Sequence, residues 1–217
     1  MMTKKNLPSK DEVVIRSFNM SDLQAVDDGN YIEGHAAVYD EKTNIGDYFY
    51  EIIERGAFDE CDFDDVLFSV NHDMRKIPLA RSRRNNGNST MQLNLDAKGL
   101  YVKADLDVDN NTESKNLYSA VKRGDINGMS FIFYVKEDRW EDLDKDMPTR
   151  HILKVKKVRE VSAVNYPAYG GTDINARDQI VLDNAEKTLE NVRSNELDNS
   201  KEQLEVLKLR TKILMKG

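Results

Sequence analysis

From Leu100 to Val108 apolar side chains fill every second position, Leu100, Val102, Ala104, Leu106 and Val108, with Tyr101, Lys103, Asp105 and Asp107 between them. A period of two places the sets on opposite sides of an extended backbone, so the segment reads as a strand with one buried and one wet face. Such a strand needs sheet neighbours and a second layer over its apolar side. The register also bears on a calcium loop. Asp105, Asp107 and Asp109 have the opening spacing of an EF-hand, but Asn110 holds the glycine position and Asn116 the closing glutamate position. They read instead as solvated aspartates on the strand's outer face.

Other segments extend the β-rich pattern. Val13 and Ile15 alternate with polar neighbours, and Gly34-His35-Ala36-Ala37-Val38-Tyr39 reads as a strand entered through glycine. His35, among small residues, reads as a packed strand residue. Asn111 or Thr112 can cap a helix with Leu117, Ala120 and Val121 as its apolar positions, and Gly124 is placed to end it. From Ile126 to Val135 the chain turns apolar, aromatic and β-branched, which predicts a buried strand with Ser130 near its start.

A second strand is expected over Ile152 to Val164, stopped by Pro167. Strict alternation puts Val158, Glu160, Ser162 and Val164 on one face and Arg159, Val161, Ala163 and Asn165 on the other. Glu160 then lies among valines, where an ionised carboxylate is costly unless a donor or cation is held beside it.

After about Thr172 aromatics thin out and helix formers dominate from Leu182 to Met215. Leu197 and Leu204, and Leu207 and Leu214, are one heptad apart. Asn195, Asn199 and Ser200 interrupt the seam, so the pattern supports a short or conditional coiled coil. A chain of 217 residues has room for one domain and such an extension.

A net charge of -7 and a pI near 5.1 argue against a large nucleic-acid footprint and for a protein partner. No stretch approaches the roughly 20 apolar residues of a membrane span, and Met1 to Asp11 contain no apolar signal core. The one cysteine, Cys61, stands among Asp59, Glu60, Asp62, Asp64 and Asp65. That charge disfavours a nucleophilic thiolate, and a lone cysteine agrees with a reducing cytoplasm. Three dispersed histidines show no helix-spaced pair and no cysteine set, so no metal and no cofactor are expected.

Three residues stand at sequence breaks or burial conflicts: His72, Ser130 and Glu160. A serine becomes nucleophilic beside a base, an imidazole is that base near neutral pH, and a third group accepting its second N–H fixes the tautomer. Each residue alone also has an ordinary structural reading.

Their surroundings add to the pattern. Arg55-Gly56-Ala57-Phe58, Phe68-Ser69-Val70-Asn71-His72-Asp73 with Pro78-Leu79-Ala80-Arg81, Lys98-Gly99-Leu100, Gly128-Met129-Ser130-Phe131, and Arg159-Glu160-Val161-Ser162-Ala163-Val164 followed by Pro167-Ala168-Tyr169 occur in this order. Together they resemble the prohead proteases of tailed phages, over residues 13 to 177. The family often has glycine where Ala80 and Ile132 stand.

The resemblance implies an α+β fold like herpesvirus assemblin, a mainly antiparallel β-barrel core with surrounding helices, here followed by a helical C-terminal tail. It implies a serine endopeptidase that cleaves scaffold or capsid-protein scaffold segments, and itself, inside the immature prohead in the host-cell cytoplasm. His72 falls on the family's histidine, Ser130 on its nucleophile and Glu160 on the acidic position of a third member, for which His151 competes because herpesvirus relatives use a second histidine. The partners implied are the major capsid protein or its scaffold segment and, as in assemblin, a second copy of the chain; no nucleic acid or membrane is involved. The expected organisation is a flexible N-terminus over 1–12, a protease domain over 13–177, and a tail over 178–217 that binds a partner or is removed by self-cleavage. A non-enzymatic internal scaffold, or a protease fused to one, is the alternative.

Overall fold

The structure, a computed structural model, describes residues 13–18, 22–27, 29–165 and 176–214. In chain order the elements are β1 (Val13–Phe18), β2 (Gln24–Val26), β3 (Tyr31–Val38), β4 (Thr43–Ile45), β5 (Phe49–Ile53), β6 (Val66–Val70), β7 (Ala80–Ser82), β8 (Met91–Leu95), β9 (Gly99–Asp105), α1 (Thr112–Lys122), β10 (Gly128–Glu141), β11 (Thr149–Val164) and α2 (Ala176–Leu214). The expectations for residues 1–12, for Pro167, for the boundary at Thr172 and for Met215 fall outside the described residues.

The antiparallel pair β10 and β11 is the spine of the larger sheet, ordered β1-β10-β11-β5-β4. At β11 the sheet forks. The first half of β11 pairs in parallel with β5 and its second half in parallel with β6, which carries β7 on its other side. Between the two, the chain stays against β11 through hydrogen bonds from Val155 N to Ala57 O (2.8 Å) and from Val158 N to Asp62 O (3.1 Å). The smaller sheet runs β2-β3-β9-β8, all antiparallel.

The core lies where the sheets face each other. Phe58, Phe68, Phe131 and Phe133 come from one side and Ile32, Met91, Leu100 and Val102 from the other, all almost wholly buried. The architecture is α+β and mostly strands. Among the described residues neither sheet closes on itself, so the expected barrel takes the form of two open, packed sheets.

Several local expectations change. The strand from Gly99 ends at Asp105, so Asp107 and Asp109 lie in the turn beyond it, where Asp107 Oδ1 accepts hydrogen bonds from the backbone and side chain of Asn110 (3.1 and 3.0 Å). Asn111 is the cap of α1, accepting from Glu113 N at 2.9 Å and Ser114 N at 3.3 Å. Leu117 and Val121 face the core, and Gly124 follows the helix with φ +78°. Strand β10 runs six residues past Val135, and β11 starts at Thr149, before Ile152.

The largest correction is in β11. Ile132 pairs with Glu160 but Phe133 pairs with Val158, so Arg159 is the extra residue of a β-bulge. The alternation therefore reverses: Val158, Val161 and Ala163 all join the core, while Glu160 and Ser162 share the opposite face.

Helix α2 is 39 residues long. Its Ala185 and Leu189 pack with Ile45 and Phe49, flanked by Tyr48, Trp140 and Leu143, and Arg193 donates to the carbonyls of Leu143 (3.1 Å) and Lys145 (2.6 Å). Farther along, Leu197, Leu204 and Leu207 are exposed.

At Gly99 the sheet admits no side chain. A Cβ there would stand 2.0 Å from the Ala37 carbonyl oxygen, backbone that cannot swing aside. Gly99→Ala should lower stability by about 1–3 kcal/mol or more, as overpacking does; the denaturant midpoint measures it.

Candidate active site

Three strands bring their serines abreast. Ser130 on β10 pairs with Ser162 on β11, and Ser162 with Ser69 on β6. Glu160 lies two residues before Ser162 on the same face, opposite Ile132 and Leu67. Ser130, Glu160 and Ser162 have no exposed surface.

The chain leaving β6 then turns back over this row. Asn71 and His72 both adopt left-handed backbone, with φ +51° and +56°. Each costs about 1 kcal/mol or more in a residue with a side chain, so surrounding contacts must hold the turn. They are present: Asn71 N donates to Ala163 O (3.0 Å), Asn71 Oδ1 accepts from Asn165 N (3.0 Å), and His72 N donates to Ser162 Oγ (2.9 Å).

The turn aims the imidazole between the other two residues. His72 Nδ1 is 2.5 Å from Glu160 Oε2, and His72 Nε2 is 2.5 Å from Ser130 Oγ. Glu160 Oε1 accepts from Ser162 Oγ at 2.5 Å and from Ser69 Oγ. Because the carboxylate accepts, Nδ1 carries a proton; in the neutral ring Nε2 is then bare and accepts the Ser130 hydroxyl.

Ser130 Oγ has a second acceptor, the Arg16 carbonyl on β1, at 2.8 Å. One hydroxyl proton serves one acceptor at a time. When the ring is doubly protonated its Nε2–H points at Oγ, and the hydroxyl proton turns to Arg16 O. The position of β1 is fixed by a buried bidentate pair, Arg16 Nε to Glu51 Oε1 (2.5 Å) and Nη2 to Oε2 (2.8 Å). Arg150 stands 3.6 Å from the same carboxylate and holds Asp138 at 2.6 Å.

His151 is elsewhere. Its Nδ1 is 2.6 Å from Glu54 and its Nε2 3.3 Å from Glu141; it stands nine residues before Glu160 on β11, with its ring on these other carboxylates. His35 ties loops together, with Nδ1 on Asp22 (2.6 Å), Nε2 on Asp96 (2.9 Å) and its ring edge-on to Tyr101. Cys61 lies away from the serine row, and burial, with Asp62 adding to it, pushes its thiol up to about 12. Burial thus outweighs the neighbouring charges, which the sequence alone had suggested as the cause. Among the described residues no cluster of His, Cys, Asp and Glu could hold a metal, and no helix is long and apolar enough to cross a membrane.

Ser69, Ser162, Arg16 and the left-handed turn escape a residue-by-residue reading. Ser162 stands two residues after Glu160 and Ser69 three before His72, but only strand pairing joins them.

A serine hydroxyl, imidazole and carboxylate in line form the arrangement used by serine peptidases, in which the imidazole takes the serine's proton and the carboxylate stays an anion. The chain belongs to the caudovirus prohead serine protease family, whose profile matches residues 17–191. It is a serine protease of phage prohead maturation. It is similar to the capsid assembly protease gp21 of bacteriophage T4, at 13% identity and a TM-score of 0.41, covering 70% of this chain and 97% of that one. No curated protein matches.

The loop tie at His35 has a pH signature. Burial alone would raise the Asp22 carboxyl, but hydrogen bonds from Lys98 and His35 outweigh it and leave it below the ordinary carboxylate value. A depressed carboxyl stabilises the fold above its unfolded value, near 3.8, and that contribution is lost as pH falls through the folded one. Asp22→Asn should therefore lower the melting temperature at pH 7, with the gap to wild type narrowing below pH ~4.

Proposed function

We propose that Ser130 is the nucleophile of this protease, His72 its general base and Glu160 the carboxylate that orients and charges the base. The observation that carries the reading is the single imidazole lying 2.5 Å from the serine oxygen on one side and 2.5 Å from the carboxylate on the other. As Oγ attacks the scissile carbonyl, Nε2 takes its proton and the imidazolium faces the Glu160 anion. The ring then gives that proton to the leaving amine, and an acyl-serine remains. Water attacks the acyl group by the same route, with His72 again taking the proton, and returns Ser130 to its hydroxyl form. The Arg16 carbonyl accepts from Ser130 and so is no oxyanion donor.

The finer organisation belongs to the same proposal. Residues 13–177 form the protease domain, preceded by 1–12, and 178–217 are a tail that serves assembly or is cut away. Exposed Leu197, Leu204 and Leu207, beyond the docked Ala185 and Leu189, support a partner-binding role for the tail's second half. The substrate is the major capsid protein or its scaffold segment, cleaved within the immature prohead in the host cytoplasm; the chain also cuts itself, and works as a homodimer on an assemblin-like scaffold. A mostly stranded α+β architecture supports the fold assignment.

Co-expression with the capsid protein tests the reading, read by intact mass of both chains. Wild type should give shortened capsid subunits. Ser130→Ala or His72→Ala should cut the rate by about 10³-fold or more. Glu160→Gln should lower it strongly in a folded protein, while His151→Ala should leave the rate per folded molecule near wild type. Uncleaved subunits with folded wild-type chain would favour a scaffold role.

A further inference from the structure

A buried carboxylate with one oxygen on an imidazole leaves its other oxygen to be satisfied. Glu160 Oε1 is held by Ser162 Oγ and Ser69 Oγ, from its own strand and the adjacent one. These two hydroxyls lie 2.7 Å apart. Each has one proton, so at most two of the three contacts in this triangle are hydrogen bonds at once. With both protons on Oε1, the anion has three donors, counting His72 Nδ1–H. Ser162 does more, since the same oxygen accepts the backbone N–H of His72 at 2.9 Å. It therefore fixes both the carboxylate and the left-handed turn that presents the ring.

Resting on the reading above, we infer that Ser162 and Ser69 are positioning residues of the protease, which keep Glu160 an anion aimed at His72 and, through Ser162, hold His72 over Ser130. The hydrogen bonds of both hydroxyls go to Glu160, to each other and to His72 N, and those of Ser130 Oγ to His72 and the Arg16 carbonyl. The cross-strand neighbours of Glu160, Ile132 and Leu67, carry no charge, so His72 is the ionisable side chain hydrogen-bonded to it among the described residues.

This arrangement predicts more than a slower enzyme. Without a hydroxyl donor the carboxylate is a poorer anion, so the His72–Glu160 pair takes up its proton at higher pH, whichever partner holds it. The acid limb of the rate profile moves up. A hydroxyl that only fills space would leave the limb in place.

The experiment measures cleavage of purified capsid protein by excess full-length chain across the pH range, for wild type, Ser162→Ala, Ser69→Ala and Ser162→Thr. Loss of one hydrogen bond to a charged group corresponds to roughly 10- to 100-fold. Both alanine variants should slow by that order at pH 7 with the acid limb shifted upward, and threonine should recover most of the rate. Ser69→Ala carries the same readout from a different strand should Ser162→Ala not fold. Wild-type rates, or slowing with an unmoved acid limb and no recovery by threonine, would overturn the inference. Ser130→Ala separates the layers: cleavage surviving there sinks the triad itself, whereas an inactive Ser130→Ala beside unaffected Ser162→Ala and Ser69→Ala sinks only the positioning role.

Discussion

A buried carboxylate organises this molecule. Glu160 has no exposed surface, and an unpaired anion in such a place would cost several kcal/mol. The surrounding fold answers that cost with donors from two directions: the imidazole of His72 on one oxygen, and the hydroxyls of Ser69 and Ser162 on the other. Three strands and one strained turn must keep their mutual register for these donors to meet. The bulge at Arg159 is the device that turns Glu160 out of the apolar layer and onto the serine face.

Rigidity on either side follows from pairing. On one flank the second half of β11 lies parallel to β6, so the turn carrying His72 starts beside the strand carrying Glu160. On the other, β1 runs along β10, anchored by the buried pair of Arg16 with Glu51 of β5. The Arg16 carbonyl then offers the Ser130 hydroxyl a second resting place. Proton position at the serine is thereby coupled to the protonation of His72.

What the sequence made legible was local. The alternation from Leu100, the apolar run after Gly128 and the Asn111 cap each depend on neighbours a few positions away, and each element forms. The burial conflict at Glu160 was visible because a charge stood in a valine-rich strand, although strict alternation misassigned its face. The bulge depends on how β10 pairs, which no local pattern encodes. The left-handed Asn71–His72 turn lacks a glycine to announce it, and the serine row exists only across three strands. The fork of β11, one strand with two parallel partners, is likewise a property of non-local pairing.

The hydrogen bond between His72 Nδ1 and Glu160 can be observed directly by proton NMR of histidine-labelled protein. A short N–H bond to a buried carboxylate should give a resonance far downfield of the amides, kept in Ser130→Ala and lost in Glu160→Gln while the signals of His35 and His151 persist. A folded Glu160→Gln protein that retains every downfield histidine resonance of the wild type would contradict the account.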